Sequence, residues 1–277
     1  MDTPKEPFLV IEPGRSKKNY WSDLWNYREL FLFLSWRDIL VRYKQTVLGV
    51  LWGVLRPLLT IVIFTLVFGK LARMPSYGVP YSVLVFVAML PWQLFAGALS
   101  DSSNSLLGNS HLISKIYFPR LIIPISSIMV SLLDFLISLL LLLGLMAWQH
   151  CLPDSRFVFG FFFLFLALQV ALGFGFWFSA LNVKYRDFRY IIPFVVQFGL
   201  YISPVGFSSG IIPGRWRLLY SLNPLVGIID GFRWSMLGGR TTLYWPAVVL
   251  STILGSVIFV SGAWFFRRME KTFADVI

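Results

Sequence analysis

A few ionisable side chains stand inside sequence that is otherwise apolar, and chemistry is sought there first. Asp134 lies near the middle of the run Pro119–Trp148. An acid so placed is a candidate for ion handling or a proton relay, because charge in apolar surroundings is costly. A single isolated acid fits better as a structural carboxylate, hydrogen-bonded to polar groups on neighbouring helices. Asp230 and Arg233 are three residues apart, a spacing at which side chains meet on one helix face, and they are expected to pair. Arg56 precedes Pro57 in another apolar run, where a guanidinium must snorkel or face water. Trp52, Trp92, Phe95, Phe198 and Tyr201 offer flat faces on which sugar rings could slide, or which could simply pack against lipid and neighbouring helices.

Catalytic signatures are missing. The sequence has no G-x-x-x-x-G-K-[ST], H-E-x-x-H, C-x-x-C or G-x-S-x-G, so no P-loop ATPase, zinc protease or serine hydrolase is expected on this chain. No catalytic residue is assigned. The 13 acids are scattered, unlike the clustered carboxylates of a membrane glycosyltransferase. The single cysteine, Cys151, can form no disulfide within the chain. His111 and His150 share no metal-ligand spacing, so no metal site is expected.

The elements that would position these residues are membrane helices. The 277 residues are 57% hydrophobic and 13% charged, with a mean hydropathy of +0.73. Soluble domains are about 45–50% apolar and about 25% charged, so an ordinary cytosolic enzyme, a disordered chain and a nucleic-acid-binding domain are excluded. Six runs approach the roughly 20 residues a spanning helix needs: Val47–Gly69, Tyr81–Leu99, Pro119–Trp148, Phe157–Leu181, Tyr190–Phe207 and Tyr244–Phe266. Residues 1–20 hold no apolar stretch of the kind found in a cleaved signal peptide.

The net charge of +11 reads as orientation rather than nucleic-acid affinity. With the N-terminus inside, seventeen Lys and Arg fall on the cytoplasmic side and seven on the other, which places both termini in the cytoplasm. Trp21–Lys44 carries too much charge to span. Trp21, Leu24, Phe31, Leu32, Ile39 and Tyr43 fall roughly on one helical face, as in a helix lying along the membrane surface. Asp101–Phe118 is polar with helical periodicity, a short amphipathic helix at the cytoplasmic mouth. Ser208–Leu243 is apolar but broken by Gly and Pro, and is expected to form short re-entrant helices from the outer face, buried in protein or lining a wet cavity.

Several blocks taken together resemble one family. Arg42-Tyr43-Lys44-Gln45-Thr46-Val47-Leu48-Gly49 leads into Leu51-Trp52 and Arg56-Pro57. Pro91-Trp92-Gln93 is followed by Asn109 and by Leu112-Ile113-Ser114-Lys115-Ile116-Tyr117-Phe118-Pro119-Arg120. Next come Asn182-Val183-Lys184-Tyr185-Arg186-Asp187, then Gln197, Ser203-Pro204-Val205, Asn223-Pro224-Leu225 and Asp230-Gly231-Phe232-Arg233. In this order, from about Trp21 to Phe266, they resemble the permease subunit of type-2 ABC transporters that export O-antigen, capsule or teichoic-acid polymers.

The resemblance implies an all-α integral membrane protein of the bacterial inner membrane. Its parts would be an N-terminal tail (1–20), an amphipathic interface helix (21–46), a six-span domain (47–266) with short gate helices before the last span, and a C-terminal tail (267–277). It implies a homodimer working with two separate ATP-binding subunits, which would carry the ATP and Mg; this chain would hold no cofactor. The substrate would be a glycan on a lipid-diphosphate carrier, handled among membrane lipids and without nucleic acid. Candidate path residues are Trp52, Arg56, Trp92, Phe95, Phe198 and Tyr201. Candidate contacts to the ATPase subunit are Arg28, Arg37, Arg42, Lys44, Asn109, His111, Lys115, Arg186 and Asp187. Arg42, Lys44 and Arg56 are also candidates to attract the diphosphate. Pro213, Asn223, Asp230 and Arg233 would belong to the outer gate. An exporter of small drugs or lipids, or a membrane enzyme of glycan assembly, are the other classes to weigh.

Overall fold

The computed structural model describes residues 16–44, 49–185 and 187–273. Among them the chain is helical: α1 (Ser16–Asn26), α2 (Arg28–Lys44), α3 (Gly49–Phe64), α4 (Tyr81–Gly108), α5 (Ser110–Lys115), α6 (Ile122–Trp148), α7 (Val158–Lys184), α8 (Phe188–Ile202), α9 (Gly214–Tyr220), α10 (Pro224–Met236) and α11 (Trp245–Met269). α3 runs on as a wider π-helical segment, Thr65–Leu71.

Among the described residues, five helical segments are long and apolar enough to cross a bilayer: Gly53–Leu71, Tyr81–Gly108, Ile122–Trp148, Ser155–Lys184 and Trp245–Thr272. They match the first four expected spans and the last. The expected fifth span, Tyr190–Phe207, is instead the 15-residue α8, about 22 Å long at about 1.5 Å per residue and short of a hydrocarbon core of about 30 Å. The sequence explains the early stop. Ser203 precedes Pro204, which disfavours helical backbone at the residue before it, and Ser203 is extended (φ −85°, ψ 153°).

α4 is the keystone. It packs against α6, α7 and α10 and touches α3 and α8, and nearly every side chain from Val83 to Leu99 is buried. The other main pairing is α7 with α11. These two approach so closely that a Cβ built on Gly173 would lie 2.7 Å from the backbone N of Phe259. Small residues permit such contact between membrane helices, where packing rather than water expulsion drives association.

The expected interface helix is two helices with a break at Tyr27, and its apolar residues form two faces rather than one. Tyr20, Leu24, Tyr27, Leu30, Phe31 and Leu34 pack inward on a cluster with Leu121, Ile122, Phe266 and Phe273. Trp25, Leu32, Phe33, Trp36 and Val41 are exposed. Leu24 and Phe31 of the expected single stripe therefore face the protein, while Leu32 faces away. α2 also does not lie flat. It packs along α6, and its last turn reaches Asp134, twelve residues or about 18 Å up that helix.

Between α8 and α11 the expected broken segment forms α9 and α10, each started by its own signal. Pro213 precedes α9. Asn223 caps α10 by accepting from the Leu225 backbone N–H at 3.0 Å, with Pro224 at the first helical position.

Replacing Gly173 by Val pushes a side chain into the α11 backbone. We expect a loss of about 1–3 kcal/mol, typical of overpacking, seen as a lower thermal transition of the detergent-purified protein. Gly53, beside which nothing lies within 4 Å, is the control and should tolerate Ala.

Candidate functional site

Two polar networks occupy opposite ends of the bundle. At the end where α2 packs, the Arg42 guanidinium reaches Asp134 on α6 at 2.7 Å and Asp101 on α4 at 3.5 Å. Tyr43 donates to the other Asp134 oxygen, and Ser131 donates to Asp101 at 2.5 Å. Five residues earlier on α2, Arg37 donates to Asp38 and, at 2.7 Å, to the Asn109 side-chain oxygen at the close of α4. Burial, followed by the hydrogen bond to Asp134, raises the Tyr43 pKa, so the phenol stays a donor.

The same end carries a second knot. The Arg120 backbone N–H donates to the Glu270 carboxylate at 2.8 Å, and the Arg120 guanidinium donates to the Glu270 carbonyl. Tyr20 donates to the same carboxylate at 3.3 Å, and Arg267 lies 4.4 Å from the centre of its ring. Burial, and then the Glu270 charge, raises the Tyr20 pKa. Asn182, fully buried, donates to the Ser103 carbonyl at 3.1 Å and fastens the end of α7 to α4. Both described ends of the chain therefore meet where α4, α6 and α7 close.

At the other end Arg233 is fully buried. It donates to Asp230 at 2.9 Å and to the carbonyls of Pro204, Val205 and Phe207 at 2.8, 3.3 and 3.2 Å. Tyr81 donates to the Gly206 carbonyl, Tyr220 to Ile202 at 2.7 Å, and Asn223 to Ser203 at 3.1 Å. The segment beyond α8 has no helical partners for these groups, and side chains of α4, α9 and α10 supply them. The expected Asp230–Arg233 pair is present, and its larger role is to clamp this segment.

The remaining candidates divide clearly. Arg28, Lys44, His111, Lys115 and Asp187 are all exposed, with Arg28 and Lys44 at opposite ends of α2. Arg37, Arg42 and Asn109 are instead engaged within the protomer. Two carboxylates around one guanidinium leave Arg42 no surplus positive charge for a diphosphate. Trp92 and Phe95 are 4% exposed, with ring centres 5.6 Å apart, and belong to the core of the protomer. Phe198 and Tyr201 are 50% and 64% exposed and share a face of α8 with Tyr190, Phe194 and Gln197. Pro213 is exposed beside the clamp. The side chains of Trp52 and Arg56, and Arg186 altogether, lie outside the described residues.

Sequence reasoning missed Asp101, Ser131, Tyr20 and Glu270. For Asp101 a signal existed: it is an acid within the last two turns of a long apolar helix. Glu270, behind Arg267 and Arg268, looks like an ordinary solvated charge until the fold brings Arg120 to it.

A model of the family described as ABC-2 type transporter matches residues 29–237. The chain belongs to the ABC-2 type transporter family. The match runs from the start of α2 to the end of α10 and takes in the Arg42 network and the Arg233 clamp. The chain is also similar to an O-antigen export system permease protein RfbA of Klebsiella pneumoniae, 29% identical over 250 residues that cover 90% of this chain and 95% of that protein. A protein of the same description from Myxococcus xanthus is 25% identical over 257 residues, 92% of this chain and 98% of its own length. This ABC-2 transporter thus aligns with those permeases over about nine-tenths of its length, and its long apolar helices are those of a multi-pass membrane protein.

Removing the Arg233 side chain strands Asp230 and three carbonyls. Truncating one partner of a buried pair costs about 3–5 kcal/mol, so Arg233→Ala is expected to lower the thermal transition sharply. Arg233→Lys should recover less than half of the loss, since an ammonium lacks the planar fork that reaches all four acceptors. Full recovery with Lys would contradict the clamp.

Proposed function

We propose that this chain is the membrane subunit of an ATP-driven exporter that moves a lipid-diphosphate-linked, O-antigen-like glycan across the bacterial inner membrane. Similarity to O-antigen export permeases over nine-tenths of the chain carries this reading. ATP and Mg²⁺ belong to a separate ATPase subunit, two copies of which serve a homodimer of this chain. Both termini lie in the cytoplasm, as the excess of Lys and Arg at the α2 end requires. The short α8 acts as the fifth membrane segment, completed by the clamped residues 203–207.

The geometry suits a polymer path between protomers. α8 presents Tyr190, Phe194, Phe198 and Tyr201 on one exposed face with Gln197, and the Phe194 and Phe198 ring centres are 4.1 Å apart. Aromatic faces stack on sugars without holding particular hydroxyls, so a chain can pass. α3 exposes Leu58, Leu59, Val62, Ile63 and Leu66, an apolar flank that a second protomer would cover. At the cytoplasmic end α5 offers His111, Ser114, Lys115, Ile116 and Tyr117 to the ATPase. Closure of the ATPase pair on ATP pushes this surface and shifts the bundle between two packed states.

The test is co-purification with the partner ATPase, reconstitution into vesicles and measurement of ATP-dependent glycan movement. Export by the wild-type complex is the expected result; ATP turnover without glycan movement would overturn the reading. Phe198→Ala with Tyr201→Ala should lower export while leaving basal ATP hydrolysis unchanged. Lys115→Glu should reduce the ATPase retained on the permease, and equal retention would remove α5 from the docking surface.

A further inference from the structure

We infer that Asp134 and Asp101 are positioning residues for transport: through Arg42 and Tyr43 they lock α2 to α4 and α6, so that the three helices move as one unit. The inference rests on the transporter reading above, in which the ATPase pushes on α5, and it adds α2, which Arg37 ties to Asn109 at the head of α5.

The geometry argues for a fixed joint. α2 is held to α4 at two points, Arg37 on Asn109 and Arg42 on Asp101. These attachments are five residues apart on α2 and eight apart on α4. One point would leave a pivot; two points fix a direction. The third helix joins through Asp134, which receives Arg42 at 2.7 Å and also the Tyr43 hydroxyl. α4 and α6 are themselves in contact at this level. Ser131 donates to Asp101, and a Cβ on Gly97 would sit 2.6 Å from the Ser131 hydroxyl.

The charge balance points the same way. Arg42 is shared by two carboxylates, and the nearby Asp38 is held by Arg37 at 2.7 Å. The charges here are matched to one another within the chain, so the site suits an internal joint. The joint also sits where it matters. α2 ends at Lys44, and α3, which follows it, leaves Leu58, Leu59, Val62 and Ile63 exposed. Without the joint, displacement of α2 would have no rigid route into the core helix α4.

The experiment uses the permease–ATPase complex in vesicles, with Arg42→Ala, Asp134→Asn and the exchanged pair Arg42→Asp/Asp134→Arg. Each single variant should keep its bound ATPase and its ATP turnover while export falls about tenfold, within the range of typical coupling between sites. The exchanged pair should regain most of the export. Wild-type export by the single variants, loss of the bound ATPase, or an exchanged pair no better than the singles would each overturn the inference.

A second measurement does not depend on the substrate or on the variants folding. Spin labels at Trp36→Cys on α2 and Leu140→Cys on α6, within one protomer and with Cys151→Ser, report the distance between the two helices. That distance should stay constant when ATP is added; a shift of several ångströms would overturn the joint. If the wild-type complex moves no glycan while the distance holds, the export reading fails and the joint stands.

Discussion

A charge removed from water must be matched by the protein around it, because lipid offers neither counter-ion nor hydrogen bond. The two ends of this bundle are organised by that requirement. Arg233, fully buried, cannot remain without acceptors, and it meets Asp230 together with three carbonyls left over where α8 stops. Arg42 meets Asp101 and Asp134. In each case one guanidinium, with its planar set of donors, joins segments far apart in sequence. Lysine in either place, with its three donors on a single nitrogen, lacks the spread to reach the same set of acceptors.

The ends differ in what they hold. At the Arg233 end the clamp grips backbone, so it secures the shape of a segment that has no helical hydrogen bonds of its own. At the α2 end the bonds run between side chains on separate helices, so they fix how whole helices sit against one another. Between the ends α4 is buried along most of its length, and α7 meets α11 through glycines. A push at one end therefore meets a core that does not deform gradually, since close-packed interiors shift between discrete arrangements. The surfaces of α3, α8 and the outward side of α2 carry exposed apolar side chains.

Membrane character, the approximate positions of the long helices and the start signals of the short helices were all legible in the sequence. They depend on local composition and on neighbours a few residues away: twenty apolar residues in a row, Asn223 before Pro224, Pro213 before Gly214. The pairing of Asp230 with Arg233 was legible for the same reason, because a spacing of three is itself a contact. Even the early end of α8 was written at Ser203-Pro204, although the apolar run continues to Phe207 and hides it.

Tertiary structure alone decided which charges find partners on other helices. Arg37 and Arg42 look like surface cations on a basic helix, and only the fold brings Asn109, Asp101 and Asp134 within 3.5 Å of them. Lys115 and His111, equally polar in the sequence, find no such partner and stay exposed. Trp92 and Phe95 cannot be told from Phe198 and Tyr201 by residue type, yet α4 lies at the centre of the bundle and α8 at its margin. Periodicity reports that a helix has faces; which neighbour covers each face depends on residues dozens of positions away, and that information arises only when the helices pack.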